Sequence, residues 1–523
     1  MSRITIYDTT LRDGMQGEGM SLSAEEKVRV AHLLDDLGIP FVEAGFPASN
    51  PKEEELFERL SHERLRAHVC AFGMTRRRDL SADQDPGLRL LATCFAPVCT
   101  LVGKTWSLHL EKVVRVDPEE NLRMIADSVA FLVAEGKRVI YDAEHFFDAW
   151  RSDRAYALRC VGAAAAAGAE NVTLCDTNGA SLPGDVAAAV REVVATGVPV
   201  GIHCHNDAEC GVANSLAAVA EGALLVQGTL NGYGERCGNA NLTSIVPNLQ
   251  LKQGHDCLPA LEGLTEASHL LAELLNLPPD ANAPYVGKNA FAHKGGMHVA
   301  GVATDPATFE HIDPAAVGNA REVLVSELSG KGTLISRAGG SLDEAAAGRV
   351  VERVKTLEHR GFQFEAADGS LDLLIRRETG DYAPLFRLES WRVIAEKRED
   401  GRVMTEATIK IWVEGERFVR TAEGNGPVHA LDRALRDAIS ETYPHLADIK
   451  LVNYKVRILD EAKATAAVTR VLLDASDGTD TWGAIGVHEN VIEASWDALV
   501  DSLEAGMLPS RTGHRRGERS PAA

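Results

Sequence analysis

Between residues 4 and 251 the chain alternates short β-branched runs with longer stretches of helical periodicity. Counted from the N-terminus, the runs lie at residues 3–7, 41–43, 67–71, 93–96, 138–141, 171–174, 198–202 and 224–226. Eight strand–helix units in about 250 residues are typical of a (β/α)8 barrel, the TIM barrel. A doubly wound open sheet is the alternative, but it would not naturally place polar clusters at the exits of so many strands. We therefore predict an α/β fold that opens with a closed barrel.

A second pattern begins near Phe386, as expected for a chain of 523 residues that exceeds one ordinary domain. Strands are predicted at 403–413 and 417–421, followed by a helix that Gly-Asn-Gly-Pro at 424–427 opens and that ends at 439. Strands recur near 451–459 and 465–473, and a helix follows Asn490, so a pseudo-duplicated α+β module is expected. The predicted boundaries are 1–270 for the barrel, 271–385 for helical linker and lid subdomains, 386–508 for the module and 509–523 for a disordered tail.

Composition restricts the partners that such a chain can have. The formal net charge of −22 argues against nucleic acid or an anionic membrane, although a few arginines in a cleft can still bind a small anion. The chain has no run of 18 apolar residues, and its N-terminus has a strand pattern instead of that of a signal peptide. Nine cysteines, scattered singly, are typical of reduced thiols. We expect a cytoplasmic enzyme.

Polar clusters follow four of the predicted strands, where the active groups of a TIM barrel gather. They are Asp8-Thr9-Thr10-Leu11-Arg12-Asp13-Gly14, Glu144, Asp176-Thr177-Asn178-Gly179 and His203-Cys204-His205-Asn206-Asp207. At the mouth of a barrel Arg12 can stabilise an oxyanion, although a strand-end salt bridge with Asp13 is a plainer interpretation. Glu144 is a candidate general acid or base, and an ordinary solvated carboxylate is the alternative.

The His-x-His pair is the strongest indication of a metal site. Residues i and i+2 of a strand point to the same side, so His203 and His205 can both face the barrel axis. Two imidazoles and a carboxylate, which Asp13 can supply, form a common open site for a divalent ion. An isolated His-x-His is more often incidental, but three further polar strand ends favour the metal interpretation.

Two glycine-rich segments follow the eighth predicted strand. Residues 232–239 have the spacing G-x-G-x-x-x-G, one residue away from the dinucleotide fingerprint, so a tight turn near a phosphate or metal is the remaining interpretation. Residues 289–298 place His293, Lys294 and His298 among glycines. That composition fits a lid that covers the barrel mouth and an incidental loop equally well.

These segments together resemble the family of 2-isopropylmalate, homocitrate and citramalate synthases, which are metal-dependent TIM-barrel enzymes that catalyse Claisen condensations. The resemblance rests on residues 8–14, 203–207, 232–239 and 293–298, and it extends to Gly-Asn-Gly-Pro at 424–427, where the regulatory, dimer-forming domain of the family begins. Residues 141–148, 174–179, 311–314 and 325–330 look most like the longer citramalate synthases. Members of that group condense acetyl-CoA with pyruvate.

The resemblance implies a role for individual side chains. Asp13, His203, His205 and Asn239 would bind a divalent metal such as Mn, Mg or Zn. Arg12 would lie over the keto oxygen, Thr177 and Asn178 would bind the 2-oxo acid, and Glu144 and His298 would be the acid–base pair. Acetyl-CoA would contact Gly232, Gly234, Arg236, His293 and Lys294. Where the family often has a tyrosine near the lid histidine, this chain has Phe309, which carries no hydroxyl.

The resemblance also implies hydrolysis of the citramalyl thioester, a place in isoleucine biosynthesis, feedback inhibition by isoleucine and a homodimer. Three alternatives remain from the sequence. The first is a related synthase that acts on another 2-oxo acid, and the second is a lyase of the hydroxymethylglutaryl-CoA type. The third is a non-catalytic amino-acid sensor built on an inactive barrel.

Overall fold

The structure, a computed structural model, describes residues 2–47, 49–324, 334, 342–460 and 466–508. The chain forms two compact units. The first contains Met1–Phe291 and His311–Arg321, and the second contains Ala292–Glu310 and Glu322–Ala523. The predicted domain boundaries at residues 270 and 385 stay a prediction.

Eight parallel strands of the first unit form a closed barrel. The strands are β1 Thr5–Asp8, β2 Phe41–Gly45, β3 His68–Met74, β4 Val98–Lys104, β5 Arg138–Glu144, β6 Asn171–Asp176, β7 Val200–Cys204 and β8 Leu225–Gly228. The barrel closes because β8 pairs with β1 from Thr5↔Leu225 to Asp8↔Gly228. The predicted TIM barrel is therefore confirmed, and the open sheet is excluded.

Helices surround the barrel and begin at recognisable capping residues. Ser23 and Glu26 form the predicted capping box, in which each side chain binds the other residue's backbone N–H. The helices of this unit with six or more residues are Ala24–Asp36, Pro51–Ser61, Pro86–Thr93, Pro118–Ala134, Phe146–Ser152, Arg154–Ala166, Pro183–Val194, Gly211–Ala220, Leu242–Pro247 and Leu264–Leu274.

The predicted fourth strand, at residues 93–96, is wrong. Thr93 is the last residue of the helix Pro86–Thr93, and the strand is Val98–Lys104, beyond Pro97. The Asp85 side chain accepts hydrogen bonds from the backbone N–H groups of Gly87 and Leu88 and so starts the helix. Short apolar runs look alike in helices and buried strands, so periodicity alone could not separate the two.

Most of the other strands run further than predicted. β5 continues through Glu144 and β6 through Asp176, so both carboxylates are the last residues of strands. β7 begins two residues later than predicted, at Val200, and contains His203, whereas His205 forms an isolated bridge with Asn239. All of these polar groups therefore lie at the carboxyl end of the barrel.

The second unit contains the predicted repeat in a fuller form. Among its described residues, the strands and the helices of eight or more residues are β9 Ala292–His293, Gly296–Thr304, β10 Glu322–Val323, Glu344–His359, Asp368–Thr379, β11 Arg387–Lys397, β12 Val403–Val413, β13 Glu416–Gly424, Pro427–Ile439, β14 Lys450–Ile458, β15 Thr469–Ser476, β16 Thr481–His488 and Val491–Gly506. Each repeat is a three-stranded antiparallel sheet followed by one helix, first β11 to β13 and then β14 to β16.

Sequence patterning missed the outer strands β11 and β16, and it placed β15 about three residues early, at 465–473. The alternation that marks a half-buried strand is weak in β11, which is mostly exposed, and in β16, which is buried on both faces. The predicted disordered tail, 509–523, lies outside the described residues. Among those residues, none of the helices is both long and apolar enough to span a membrane.

Candidate active site

Asp13, His203 and His205 converge at the carboxyl end of the barrel. The Oδ2 atom of Asp13 lies 3.2 Å from Nε2 of His203 and 3.9 Å from Nε2 of His205. All three residues are buried, and one potential ligand atom from each lies within 4.8 Å of the others. The strand periodicity therefore does bring both histidines to one side, and the segment after β1 supplies the carboxylate from across the barrel seam.

The charges in this cluster favour a carboxylate beside a neutral imidazole. Burial alone would raise the pKa of Asp13, but Arg12 and the hydrogen bond from His203 together hold it well below its usual range. Burial and the neighbouring His203 lower the pKa of His205 to about 4. Deprotonated carboxylate and neutral imidazole are the forms in which these groups bind metal ions.

Two buried polar atoms next to this cluster have no hydrogen-bond partner among the described residues. They are Oδ1 of Asn239 and Nδ1 of His205. An unpartnered buried polar group costs about 1–3 kcal/mol, and an ion held by Asp13, His203 and His205 is one way to satisfy the oxygen of Asn239. The donor set of two imidazoles, a carboxylate and an amide oxygen suits a divalent ion such as Zn or Mn. The residues therefore fit the metal that the sequence predicts.

The turn that carries Asn239 depends on glycine. A Cβ atom on Gly234, whose φ is +154°, would lie 2.1 Å from Nδ2 of Asn239, and one on Gly238 would lie 2.1 Å from the carbonyl oxygen of Gly232. Asn239 Nδ2 donates to the carbonyl oxygen of Tyr233 at 3.2 Å. The glycine spacing thus permits a close turn that orients the Asn239 amide.

Arg12 is fixed beside the cluster by a carboxylate that the sequence interpretation did not single out. Its Nε donates to Oε2 of Glu43 at 2.5 Å, and its Nη1 lies 3.6 Å from Oδ1 of Asp13. Glu43 is fully buried on β2 and also accepts a hydrogen bond from the hydroxyl of Tyr7 at 2.9 Å. Burial alone would lower the pKa of Arg12, but Glu43 and Asp13 raise it above its ordinary value. A carboxylate within an apolar strand run was the feature that could have identified Glu43.

Glu144 belongs to a second cluster at the same end of the barrel. One potential ligand atom from each of Glu144, His109 and His145 lies within 4.8 Å of the others. The rings of His109 and His145 have centroids 4.2 Å apart, and burial and His145 lower the pKa of His109. Lys104, the last residue of β4, donates from Nζ to Oε2 of Glu144. Sequence reasoning missed Lys104 because it misplaced β4.

Thr177 and Asn178 follow β6, next to this second cluster. Oγ1 of Thr177 accepts a hydrogen bond from the backbone N–H of His145 at 2.9 Å, which leaves its own O–H able to donate to another group. Nδ2 of Asn178 donates to Oδ2 of Asp148 at 2.9 Å, and that same oxygen lies 3.1 Å from Nδ1 of His145. The predicted roles of Thr177 and Asn178 in binding the 2-oxo acid stay predictions.

The loop that contains Gly232 and Gly234 is tied to the ends of two strands by Arg236. Its Nε and Nη2 bind the two carboxylate oxygens of Asp207 at 2.7 and 2.9 Å, and Nη2 also donates to the carbonyl oxygen of Thr177. These contacts hold the loop against the segments that follow β6 and β7. The predicted contacts of the loop with acetyl-CoA stay a prediction.

The three candidate residues of the predicted lid belong to the second unit. Nε2 of His293 lies 3.1 Å from Oε1 of Glu310, and Lys294 forms an ion pair with Glu365. The ring of His298 stacks on that of Phe309 with centroids 4.2 Å apart, so an aromatic ring without a hydroxyl does lie next to this histidine. The predicted roles of these residues stay predictions.

Three protein-family models together match most of the chain. The HMGL-like model matches residues 3–271, the homocitrate synthase post-HMGL domain-like model matches 285–361, and the LeuA allosteric (dimerisation) domain matches 365–507.

Curated relatives match over almost the whole chain. (R)-citramalate synthase of Geobacter sulfurreducens is 46% identical over 96% of this chain and 97% of that protein. (R)-citramalate synthase of Streptomyces coelicolor is 48% identical over 96% of each. 2-Isopropylmalate synthase of Methanocaldococcus jannaschii is 31% identical over 96% of this chain and 94% of that protein. With its closed barrel, its repeated C-terminal sheets and these matches, the chain belongs to the citramalate synthase and 2-isopropylmalate synthase family of acyltransferases, which convert the acyl group into an alkyl group on transfer.

Proposed function

We propose that this protein condenses acetyl-CoA with pyruvate and hydrolyses the product thioester to citramalate and CoA. The observation that carries the proposal is the convergence of Asp13, His203 and His205 beside Arg12 at the carboxyl end of the barrel. Identities of 46% and 48% to two (R)-citramalate synthases support pyruvate as the 2-oxo acid.

In this proposal Asp13, His203, His205 and Asn239 hold a divalent ion of the class of Mn, Mg or Zn. When bound, the ion supplies a Lewis acid that polarises the carbonyl of the 2-oxo acid. The unpartnered oxygen of Asn239 and the buried carboxylate of Asp13 support this assignment.

Arg12 stabilises the negative charge that develops on the carbonyl oxygen as the new C–C bond forms. Its guanidinium is already held by Glu43, so little reorganisation is required when the charge appears, which is the condition for effective electrostatic catalysis. The free donor of Thr177 binds the carboxylate of the 2-oxo acid and fixes the orientation of its carbonyl.

By the resemblance alone, Glu144 and His298 are assigned as the acid–base pair, in which His298, supported by Glu144, removes a proton from the methyl group of acetyl-CoA. The resulting enolate attacks the carbonyl carbon, and the alkoxide that forms takes up a proton. Water then attacks the thioester, the C–S bond breaks and CoA leaves as its thiol. Gly232, Gly234, Arg236, His293 and Lys294 are assigned to acetyl-CoA, and this assignment rests on the resemblance alone.

The C-terminal repeat is assigned to regulation and assembly. The match of residues 365–507 to the LeuA allosteric (dimerisation) domain supports a homodimer. We assign isoleucine as the feedback effector, which the sequence resemblance supports, and the cytoplasm as the compartment, which the nine free cysteines support.

A thiol-release assay with a panel of 2-oxo acids tests the reaction. With Mn2+, Mg2+ or Zn2+ present, CoA release from acetyl-CoA is expected with pyruvate at a kcat/KM well above that with 2-oxobutyrate, 2-oxoisovalerate or 2-oxoglutarate. Identification of citramalate by mass spectrometry distinguishes condensation from simple thioester hydrolysis. A clear preference for 2-oxoisovalerate or 2-oxoglutarate would contradict the choice of pyruvate, and no turnover of any 2-oxo acid would contradict the reaction.

A separate titration tests the effector. Isoleucine added to the full-length enzyme is expected to lower the rate with pyruvate, and leucine and valine serve as matched controls of similar size. Calorimetry on the same protein measures whether isoleucine binds directly. Full activity at millimolar isoleucine, without detectable binding, would contradict the assignment.

A further inference from the structure

A buried hydrogen-bond chain crosses four neighbouring strands of the barrel behind one of the candidate metal ligands. Asp142 lies on β5, Thr173 on β6, His203 on β7 and Gln227 on β8, and each is at most 5% exposed. Asp142 pairs with Thr173, and His203 pairs with Gln227, in the register of the parallel strands. The closed sheet therefore sets the relative positions of all four side chains.

The partners of Gln227 fix which way its amide group faces. Nε2 donates to Oδ1 of Asp142 at 2.8 Å and to Oγ1 of Thr173 at 3.2 Å. An ionised carboxylate at Asp142 can only accept hydrogen bonds, which matches the amide nitrogen that faces it. A reversed amide would place Oε1 against that carboxylate, so Oε1 must face away from Asp142.

The amide orientation in turn fixes the proton on His203. Oε1 of Gln227 lies 2.9 Å from Nδ1 of His203, and because this oxygen is only an acceptor, Nδ1 must carry the proton. Nε2, which lies 3.2 Å from Asp13, is then the ring nitrogen that gives up its proton and offers a lone pair when an ion binds. His205 differs, because its Nδ1 has no hydrogen-bond partner among the described residues.

We propose that Gln227, oriented by Asp142, is a positioning residue that fixes the tautomer and ring orientation of His203 for binding a divalent ion. The proposal rests on the metal site assigned above. A hydrogen-bond partner on the remote nitrogen of a ligating histidine contributes about 10- to 100-fold to metal affinity. In this barrel the neutral amide of Gln227 contacts His203, and the carboxylate of Asp142 contacts that amide.

Metal affinity is the readout that separates positioning from simple packing. Competition between full-length enzyme and a chromophoric chelator gives the Kd for Zn2+ and for Mn2+ without any turnover. Gln227→Leu keeps the approximate volume and removes both the acceptor and the donor, and its Kd is expected to be about 10- to 100-fold weaker than wild type.

An exchange of partners provides the matched control. Gln227→Glu keeps an acceptor at His203 but sets two carboxylates against each other, so weaker binding is expected from this single change. The double variant, Asp142→Asn combined with Gln227→Glu, restores the order of donor and acceptor, since the new amide at position 142 can donate to the new carboxylate at position 227. The Kd of the double variant is expected to return to within about threefold of wild type. If Gln227→Leu fails to fold, this rescue still tests whether Gln227 positions His203.

Three outcomes are informative. Wild-type affinity in Gln227→Leu, together with loss of binding in Asp13→Ala, would overturn the positioning role and leave the metal site intact. Wild-type affinity in both variants would instead contradict the metal site itself. Weak binding in the double variant, in spite of a native circular dichroism spectrum, would also overturn the positioning role.

Discussion

The carboxyl end of the barrel carries two clusters with the same components and different electrostatics. Each cluster brings potential ligand atoms of two imidazoles and one carboxylate within 4.8 Å of one another. The first consists of Asp13, His203 and His205, and the second of Glu144, His109 and His145. Beside Asp13, the closest contact of Arg12 is with Glu43, and Arg12 lies 3.6 Å from Asp13. Beside Glu144, Lys104 donates directly to the carboxylate oxygen.

The difference supports the proposal that the first cluster holds a metal and that the second transfers protons. An ammonium bound to a carboxylate occupies one of its lone pairs and neutralises its charge, which weakens it as a metal ligand. The first cluster is buried throughout, whereas Glu144 and His109 are partly exposed and can exchange protons with water. The surroundings of a cluster, more than its components, therefore decide its chemistry.

Removing the first cluster should have the largest effect. Asp13→Ala and His205→Ala each remove a candidate ligand, so loss of bound metal and a fall of about a thousandfold or more in kcat/KM with pyruvate are expected. Metal content is measured by plasma mass spectrometry after dialysis. Full metal content with normal turnover in either variant would contradict the proposal that the first cluster holds the ion.

Removing the cation from the second cluster should make the two clusters more alike. Lys104→Met keeps the side-chain length and removes the ammonium, so a fall of about 10- to 100-fold in kcat is expected if Glu144 acts in proton transfer. The same variant should bind a second equivalent of Zn2+, measured by calorimetry, because Glu144, His109 and His145 are then free of competition. Lys104→Arg retains the charge and is the control, and one equivalent of zinc in both variants would contradict the electrostatic explanation.

A moderate effect is expected at Thr177, which lies beside the second cluster. Thr177→Val has nearly the same shape and removes the donor proposed for the substrate carboxylate, so KM for pyruvate should rise about tenfold, the equivalent of one hydrogen bond to a charged group. Thr177→Ser keeps the hydroxyl and should stay close to wild type. If Thr177→Val instead lowers thermal stability and leaves KM unchanged, the hydroxyl only supports the backbone of His145.

The smallest effect should come from His109. Nδ1 of His109 is buried without a hydrogen-bond partner among the described residues, so His109→Ala breaks no described hydrogen bond at that atom. Wild-type metal content and a kcat/KM within about threefold of wild type are expected, in contrast to His205→Ala. Loss of metal from His109→Ala would show that the second cluster, and not the first, holds the ion.

Most of the fold could be predicted because it depends on local sequence patterns. Eight βα units, the Ser23–Glu26 capping box and the strands-then-helix repeat each depend on residues close together in sequence. The misplaced fourth strand shows the limit of such patterns, since the Asp85 cap starts a helix that runs through Thr93, which an apolar run alone does not reveal. That error in turn hid Lys104 at the end of β4.

The sequence by itself determined that His203 and His205 face one side at a strand end, because extended backbone has a period of two, and that Arg12 and Asp13 follow β1 at the mouth of the barrel. Only the tertiary structure decided the partners: Glu43 for Arg12, Lys104 for Glu144 and Gln227 for His203. These pairs join residues that are between 24 and 40 positions apart in the chain. Their contacts depend on the register and closure of the barrel, and that register is set by the packing of all eight strands together.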